Sequence, residues 1–354
     1  MSIKCGIVGA AGFAGIELVR VLLRHPEFDL TAVTSNELAG TPVAVEYPCF
    51  TGATDLVFSR HDDAAIDDCD LVFLAVPHTA AMAMAPKFIE RGAVVIDLSA
   101  DFRLKDPAVY EKWYKVPHTQ TELLKRAAFG LPELFGEALV QAAEDRKQGR
   151  GALVGCAGCY PTCTSLAAAP AFRLGLVAEN APVVVDAISG VTGAGKKATA
   201  RTHFCFADEN LEAYGVSTHR HTPEIEQILG IPGRLIFTPH LAPLNRGLLS
   251  TVNIPLAEGA TRNVSEIIDL YREFYGNSTF VRVLDPGVMP KTSSVVGTNC
   301  AHVGLAVNEQ VGMLIAVGAI DNLGKGAANQ AVQCANIVWG LDEGLGLDTV
   351  AVPV

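Results

Sequence analysis

The chain has 354 residues, more than one ordinary domain needs and enough for two, each with its own core. It is 49% hydrophobic, with 33 glycines and only 18% charged residues, a composition of large cores and many tight turns. A net charge of −11 argues against nucleic acid or an anionic membrane as a partner, while a small anionic substrate stays possible wherever basic side chains gather. No apolar run reaches the roughly 18 residues that a membrane helix needs, and residues 1–5 lead straight into a strand without a signal pattern. Nine cysteines with no spacing framework fit free thiols in a reducing compartment. The expectation is a cytoplasmic α/β enzyme.

Residues 3–8 form a short apolar strand, followed at once by Gly9-Ala-Ala-Gly12-Phe13-Ala14-Gly15 and a helix over 13–24, ended by Pro26. Glycines spaced in this way, between a first strand and an amphipathic helix, let the backbone approach a pyrophosphate whose charge rests on the helix N-terminus. The next strand, 30–34, ends in Thr34-Ser35-Asn36. An Asp or Glu at that place would take a free ribose 2′-hydroxyl. Small hydroxyl and amide groups come first here, with Glu37 behind them, so the reading favours NADP(H) and puts Ser35 at the cofactor. Residues 71–76 and 94–98 are continuous apolar runs, as strands buried on both faces should be, with a helix at 80–91 between them. Strand alternating with helix up to residue 154 predicts a Rossmann-type, doubly wound parallel sheet. Arg103 follows a strand end, where ligands of such sheets bind; it could hold a substrate carboxylate or form an ordinary surface ion pair. Residues 104–150 read as a surface excursion, with 144–150 a solvated loop.

The cysteine-bearing stretch is Gly155-Cys156-Ala-Gly-Cys159-Tyr-Pro161-Thr, between a strand end at 152–154 and an alanine-rich helix at 164–174. A thiol at a strand-to-helix turn sits among free N–H groups and at the positive end of the helix dipole. Its pKa should fall from roughly 8.5 toward neutrality, which makes Cys159 the candidate nucleophile. The plain alternatives are a buried apolar cysteine, or a Cys156/Cys159 redox pair or half metal site; no second motif lies at a spacing that completes a structural zinc site.

Beyond it, a strand at 183–188 empties into a flexible basic loop, 189–197, with three glycines, Lys196 and Lys197: an anion site or simply a mobile surface loop. Thr218-His219-Arg220-His221-Thr222-Pro223-Glu224 gathers three basic side chains in a row. If extended, it puts His219 and His221 on one face. Thr222-Pro223-Glu224 reads as a helix start, which gives Glu224 a structural explanation, and His221 beside it titrates in the range suited to acid/base work. Residues 235–238 and 248–254 read as antiparallel strands joined by a loop, and 264–275 as a helix capped by Asn263. Further strands are expected at 295–296, 302–307 and 313–317, in an α+β domain with a mixed or antiparallel sheet whose solvated face suits a subunit interface. Asn322 precedes a last helix at 327–339, either as a cap or as a partner for a carboxamide such as nicotinamide.

The glycine turn 9–15, GCYPT at 158–162, SGVTGAGKKA at 189–198, THRHTPEI at 218–225 and DNLGKGAANQAVQCAN at 321–336 together resemble the N-acetyl-γ-glutamyl-phosphate reductase family of arginine biosynthesis, in order and over nearly the whole chain. The resemblance implies a semialdehyde-dehydrogenase-like enzyme. Residues 1–157, completed by about 322–354, would bind NADP(H), and residues 158–321 would carry substrate and oligomer contacts. It implies reductive dephosphorylation of an acyl phosphate through a cysteine thioester, with Cys159 as nucleophile, His221 as acid/base and Glu224 touching substrate or orienting the site. Gly9, Gly12, Phe13, Ala14, Gly15, Ser35, Gly193 and Asn322 are the implied cofactor contacts, and Arg103, Ser189, Lys196 and His219 the substrate contacts. No metal is implied. The partners are a small anionic acyl phosphate and further copies of the chain, as dimer or tetramer, with neither nucleic acid nor membrane.

Two departures stand out: Ala157 where the family usually has proline, and Cys163 after the threonine. The first removes a fixed φ from the turn; the second makes an off-pathway disulfide conceivable. The rival readings are a related reductase of aminoadipyl or aspartyl phosphate, and an idle NADP-binding module that senses redox state through Cys156 and Cys159.

Overall fold

The computed structural model describes residues 2–353, which form two compact units: residues 2–157 with 327–347, and residues 158–326 with 348–353.

The first unit holds a six-stranded sheet of β1 (Ile3–Val8), β2 (Phe28–Thr34), β3 (Leu71–Leu74), β4 (Val94–Asp97), β5 (Ala128–Gly130) and β6 (Ala152–Cys156), in the order β2-β1-β3-β4-β6-β5. Every pairing is parallel, as the continuous apolar runs predict. Alternate residues of one strand feed two separate cores. Leu71, Phe73, Val94 and Ile96 join the cluster that includes Leu18 and Val332, whereas Val72, Leu74 and Val95 join the one that includes Ala85 and Tyr110. The helix Asn329–Trp339 belongs to the first of these through Ala331, Val332, Ala335 and Val338. The charged stretch after residue 104 is more than a surface excursion, since β5 extends the sheet and the helix Pro132–Lys147 runs through most of the expected loop. Leu139 and Ala142, buried along it, supply the apolar stripe that outweighs the charges at its end.

The second unit is a seven-stranded mixed sheet. Its strands are β7 (Val183–Gly190), β8 (Glu212–Ala213), β9 (Leu235–Ala242), β10 (Leu248–Pro255), β11 (Val281–Val283), β12 (Ala301–Asn308) and β13 (Met313–Ile320), in the order β11-β12-β13-β10-β7-β9-β8. β9 and β10 are not a hairpin: β7 lies between them, parallel to β9 and antiparallel to β10. The expected strand at 295–296 is instead a turn after the short helix Thr292–Ser294. Val183, Val185, Ala187, Val252 and Ile254 are buried on one face, toward the helices Cys159–Arg173 and Val264–Phe274. The opposite face, with Val184, Ile188, Leu249 and Ile315, is only half-buried.

Candidate active site

The helix Cys159–Arg173 begins at the candidate nucleophile, and Gly158 is its extended cap residue. Cys159 is thus the first helical residue, among the N–H groups that a helix leaves without intrahelical partners and at its positive end, a setting that favours a thiolate. Cys159 is half-buried, whereas Cys163 one turn on is fully buried, its thiol pushed well above the usual range by burial and by the neighbouring Cys159. Cys163 is therefore a core residue. All nine cysteines are free thiols.

Two contacts fix the cysteine turn. The fully buried Glu224 accepts the Gly158 N–H at 2.8 Å. That carboxylate, from the first turn of the helix Thr222–Leu229, satisfies a donor of the capping turn and so ties the segment before the thiol to the histidine segment. The second contact is Gly326. A Cβ built there would lie 2.8 Å from the Cys159 Cβ and 3.2 Å from its Cα, so the backbone of this turn is packed directly against the candidate nucleophile. Gly326 belongs to a single π-helical turn, Gly324–Ala328, that precedes the last helix. Its N–H donates to the Asp321 carbonyl at 2.9 Å. The buried Asp321 carboxylate is itself held by Arg246 (2.8 Å), the Gly297 N–H (2.6 Å) and the Leu323 N–H (2.9 Å). Asn322 is a candidate visible in the sequence whereas Gly326 is not, because only the fold shows what a Cβ at 326 would strike.

The histidines meet in a turn rather than in an extended segment. His219 Nδ1 accepts the His221 N–H at 3.1 Å, and the two rings stand 4.9 Å apart. The sequence supplies Tyr160, adjacent to Cys159, as the bridge: its ring lies 5.5 Å from His219 and 6.0 Å from His221. Tyr160 donates to the His240 carbonyl at 2.9 Å, and Tyr214 donates to Tyr160 at 3.3 Å. Burial drives both phenols up, Tyr214 to about 12, so they remain neutral donors. Burial, and then Arg220, lowers His219 to about 4, so it stays neutral near pH 7.

The His219 shift has a consequence for stability. Between about pH 4 and 6.5 the unfolded chain binds a proton here that the folded chain does not, so this group's contribution falls as pH falls through that window. Asp97, raised to about 7 by burial and Asp101, acts in the opposite sense. A His219→Asn variant should therefore lose less thermal stability than the wild type between about pH 7.5 and about pH 5, measured by melting at both pH values. An equal loss in both proteins would contradict the assignment.

The remaining candidates of this unit fall into two groups. Asn322 is buried, donates to Thr192 Oγ1 at 2.9 Å and accepts the Gly247 N–H at 2.8 Å. Ser189 is buried, and a Cβ on Gly193 would sit 3.0 Å from its hydroxyl and 3.8 Å from the Asn322 amide. Lys196 lies on the exposed stretch that follows, and Arg201 there is engaged by Glu212 at 3.1 Å.

In the first unit, Gly9 has φ +85°, and a Cβ there would strike the Ala75 carbonyl oxygen at 2.4 Å. A Cβ on Gly15 would strike the Gly9 carbonyl oxygen at 2.3 Å, whereas Gly12, the cap of the helix Phe13–Leu22, meets nothing closer than 3.6 Å. A tight turn leading into a helix N-terminus with an open glycine is the shape that fits a dinucleotide pyrophosphate. Phe13 and Ala14 are half-buried in its first turn, and Ser35 is buried at the end of β2. Arg103 is buried rather than at the surface, donating to the carbonyls of Leu98 (2.8 Å) and Cys156 (2.5 Å). The guanidinium thus braces the ends of β4 and β6.

Comparison with known proteins matches two family models: residues 4–142 to the semialdehyde dehydrogenase NAD binding domain, and residues 159–322 to the semialdehyde dehydrogenase dimerisation domain. An N-acetyl-gamma-glutamyl-phosphate reductase of Desulforudis audaxviator is 45% identical over 351 residues, covering 98% of each chain. Another, of Neisseria meningitidis, is 42% identical over 353 residues, again 98% of each. Among solved structures, aspartate semialdehyde dehydrogenase II of Vibrio cholerae has a TM-score of 0.71 at 17% identity, covering 96% of this chain and 98% of that one. The NADP complex of the Candida albicans aspartate semialdehyde dehydrogenase has a TM-score of 0.70 at 15% identity, with the same coverage, and both share the fold. With the cysteine turn, the histidine turn and the glycine turn all in place, the chain belongs to the N-acetyl-γ-glutamyl-phosphate reductase family of semialdehyde dehydrogenases.

Proposed function

We propose that the protein reduces N-acetyl-γ-glutamyl phosphate with NADPH to N-acetylglutamate semialdehyde and phosphate, a step of arginine biosynthesis. The observation that carries this reading is Cys159 at a helix N-terminus, with its turn held by Glu224 and its neighbour Tyr160 against the histidine pair. The Cys159 thiolate attacks the acyl carbon, the bond from that carbon to the phosphate oxygen breaks, and a thioester forms as phosphate leaves. The chemistry NADPH supplies when bound, at the turn Gly9, Gly12, Phe13, Ala14 and Gly15 with Ser35, is hydride donation to the thioester carbon. His221 provides the proton for the developing oxyanion and takes it back as the adduct collapses, releasing aldehyde and restoring the Cys159 thiolate. Glu224 keeps the turn in register while the thiol changes its bonding.

The first unit serves the cofactor, and residues 158–321 serve the substrate, with Ser189, His219 and the basic side chains Lys196 and Arg220 as its anion contacts. Gly193 and Asn322 line the nicotinamide side. Arg103 acts on the substrate only through the strand ends that it braces. The half-buried sheet face with Val184, Ile188, Leu249 and Ile315 takes a second copy of the chain, which supports a dimer or a tetramer built from dimers. Nine free thiols fit a cytoplasmic site of action, and no helix among the described residues is long and apolar enough to cross a membrane.

The test runs the reaction in reverse, with N-acetylglutamate semialdehyde, phosphate and NADP, following reduced nicotinamide. Phosphate-dependent reduction is the expected result. Turnover with aspartate semialdehyde instead would reassign the substrate, and silence with NADP still bound would remove the catalytic reading.

A further inference from the structure

The end of β2 carries Thr34, Ser35 and Asn36, and no acid before Glu37. The fold adds what the sequence kept 25 residues away. Ser59 bridges to Thr34 as a parallel extension of the sheet, with the Ser35 N–H donating to the Ser59 carbonyl at 2.8 Å. That pairing delivers Arg60 and His61 to the strand end. His61 Nδ1 lies 2.7 Å from the Thr34 hydroxyl, and its N–H donates to Asn36 Oδ1 at 3.0 Å. The carbonyl of the same Thr34 accepts the N–H groups of Gly9 (3.1 Å) and Ala10 (2.9 Å), so this corner is built onto the cofactor turn itself.

We propose that Arg60, presented by His61, reads the 2′-phosphate of NADP(H) and sets the preference for it over NAD(H). The inference rests on the nicotinamide cofactor of the proposed function and adds the residue that selects its form. In this fold the ribose 2′ position falls at the end of the second strand, where an acid selects the free hydroxyl and an arginine accommodates the phosphate. Three acids lie near. Glu37 is exposed, Asp63 caps the helix Ala64–Asp67 through the Ala65 N–H, and Asp62 pairs with Arg60 at 3.1 Å. The Arg60–Asp62 pair has both side chains largely exposed, at 65% and 74%, and exposed pairs of this kind are weak. A phosphate dianion meeting the guanidinium fork in bidentate fashion is the stronger partner, so Arg60 exchanges Asp62 for the cofactor. His61 contributes by position: its ring and its N–H lock the loop to Thr34 and Asn36, which limits the directions that Arg60 can take.

The test is equilibrium binding to the full chain without substrate, so that failure of the substrate assignment leaves it untouched. NADPH and NADH are titrated by nicotinamide fluorescence, and 2′,5′-ADP and 5′-AMP by competition, for the wild type, Arg60→Ala and Arg60→Lys. Loss of a charge-assisted phosphate contact predicts that Arg60→Ala weakens NADPH and 2′,5′-ADP by about tenfold to a hundredfold, while NADH and 5′-AMP stay within about twofold. Arg60→Lys should recover part of the loss, keeping the charge without the fork. Equal weakening of the phosphorylated and unphosphorylated ligands, or no change in either, would overturn the proposal, as would a wild type that binds NADH as tightly as NADPH.

Discussion

Cys159→Ser is expected to abolish turnover, by at least about a thousandfold, while leaving the melting temperature and NADPH binding unchanged. A serine hydroxyl at the first helical position gains the same N–H groups and dipole as the thiol. It is nevertheless far from ionised at neutral pH, and it forms an ester that is a poorer acyl donor than a thioester. The substitution is nearly isosteric at a half-buried site, so stability has little reason to move. Cys163→Ser is the contrast: its thiol is buried against the Leu248 carbonyl and touches no part of the proposed chemistry, so stability rather than mechanism should register the change. Steady-state rates and melting curves for both variants check the pair. Comparable activity loss in the two would contradict the assignment of the nucleophile.

Gly326→Ala is expected to lower kcat by about a hundredfold with little change in NADPH affinity. The added methyl would sit 2.8 Å from the Cys159 Cβ, closer than real Cβ contacts come, and Cys159 cannot swing away because that atom is anchored at the start of a buried helix. The π-helical turn is equally constrained, by the Gly326 N–H on Asp321 and by the Arg246–Asp321 pair behind it. Either Cys159 or the turn must shift by a fraction of an ångström, and misplacement on that scale is costly to reactions that depend on alignment. The rate of Cys159 alkylation by iodoacetamide as a function of pH separates this from general destabilisation, because a displaced thiol changes its profile whereas a merely softened fold does not. Unchanged kcat and an unchanged profile would mean that the contact carries no catalytic weight.

Where one strand or one turn contained the whole signal, it could be read from the chain. The glycines at 9, 12 and 15, the apolar runs of β3 and β4, and a cysteine between a strand end and a helix are local patterns with local physical causes, and they gave the doubly wound sheet and the candidate nucleophile. What stayed hidden depends on neighbours distant in sequence. β7 inserts between β9 and β10 because parallel and antiparallel partners compete for the same edge, and the intervening loop says nothing about which wins. The histidine segment would share its two rings on one face only if extended, whereas the His219 ring captures the His221 N–H in a turn. Glu224 looked like an acid of a first helical turn, and it is one, but its oxygen reaches Gly158, 66 residues earlier. Arg103 after a strand end reads either as a partner for a substrate carboxylate or as a surface ion pair, and it is buried, donating to the carbonyls of Leu98 and Cys156. Arg60 and His61 had no visible role at all, because only the Thr34–Ser59 bridge brings them to the end of β2.

The most direct test of the account is the intact mass of the protein incubated with N-acetyl-γ-glutamyl phosphate in the absence of NADPH. The thioester mechanism predicts one N-acetylglutamyl group per chain, located on the peptide containing Cys159, absent from Cys159→Ser and lost on addition of NADPH as aldehyde appears. Full turnover with no acyl adduct at Cys159, or an adduct that NADPH does not discharge, would contradict it.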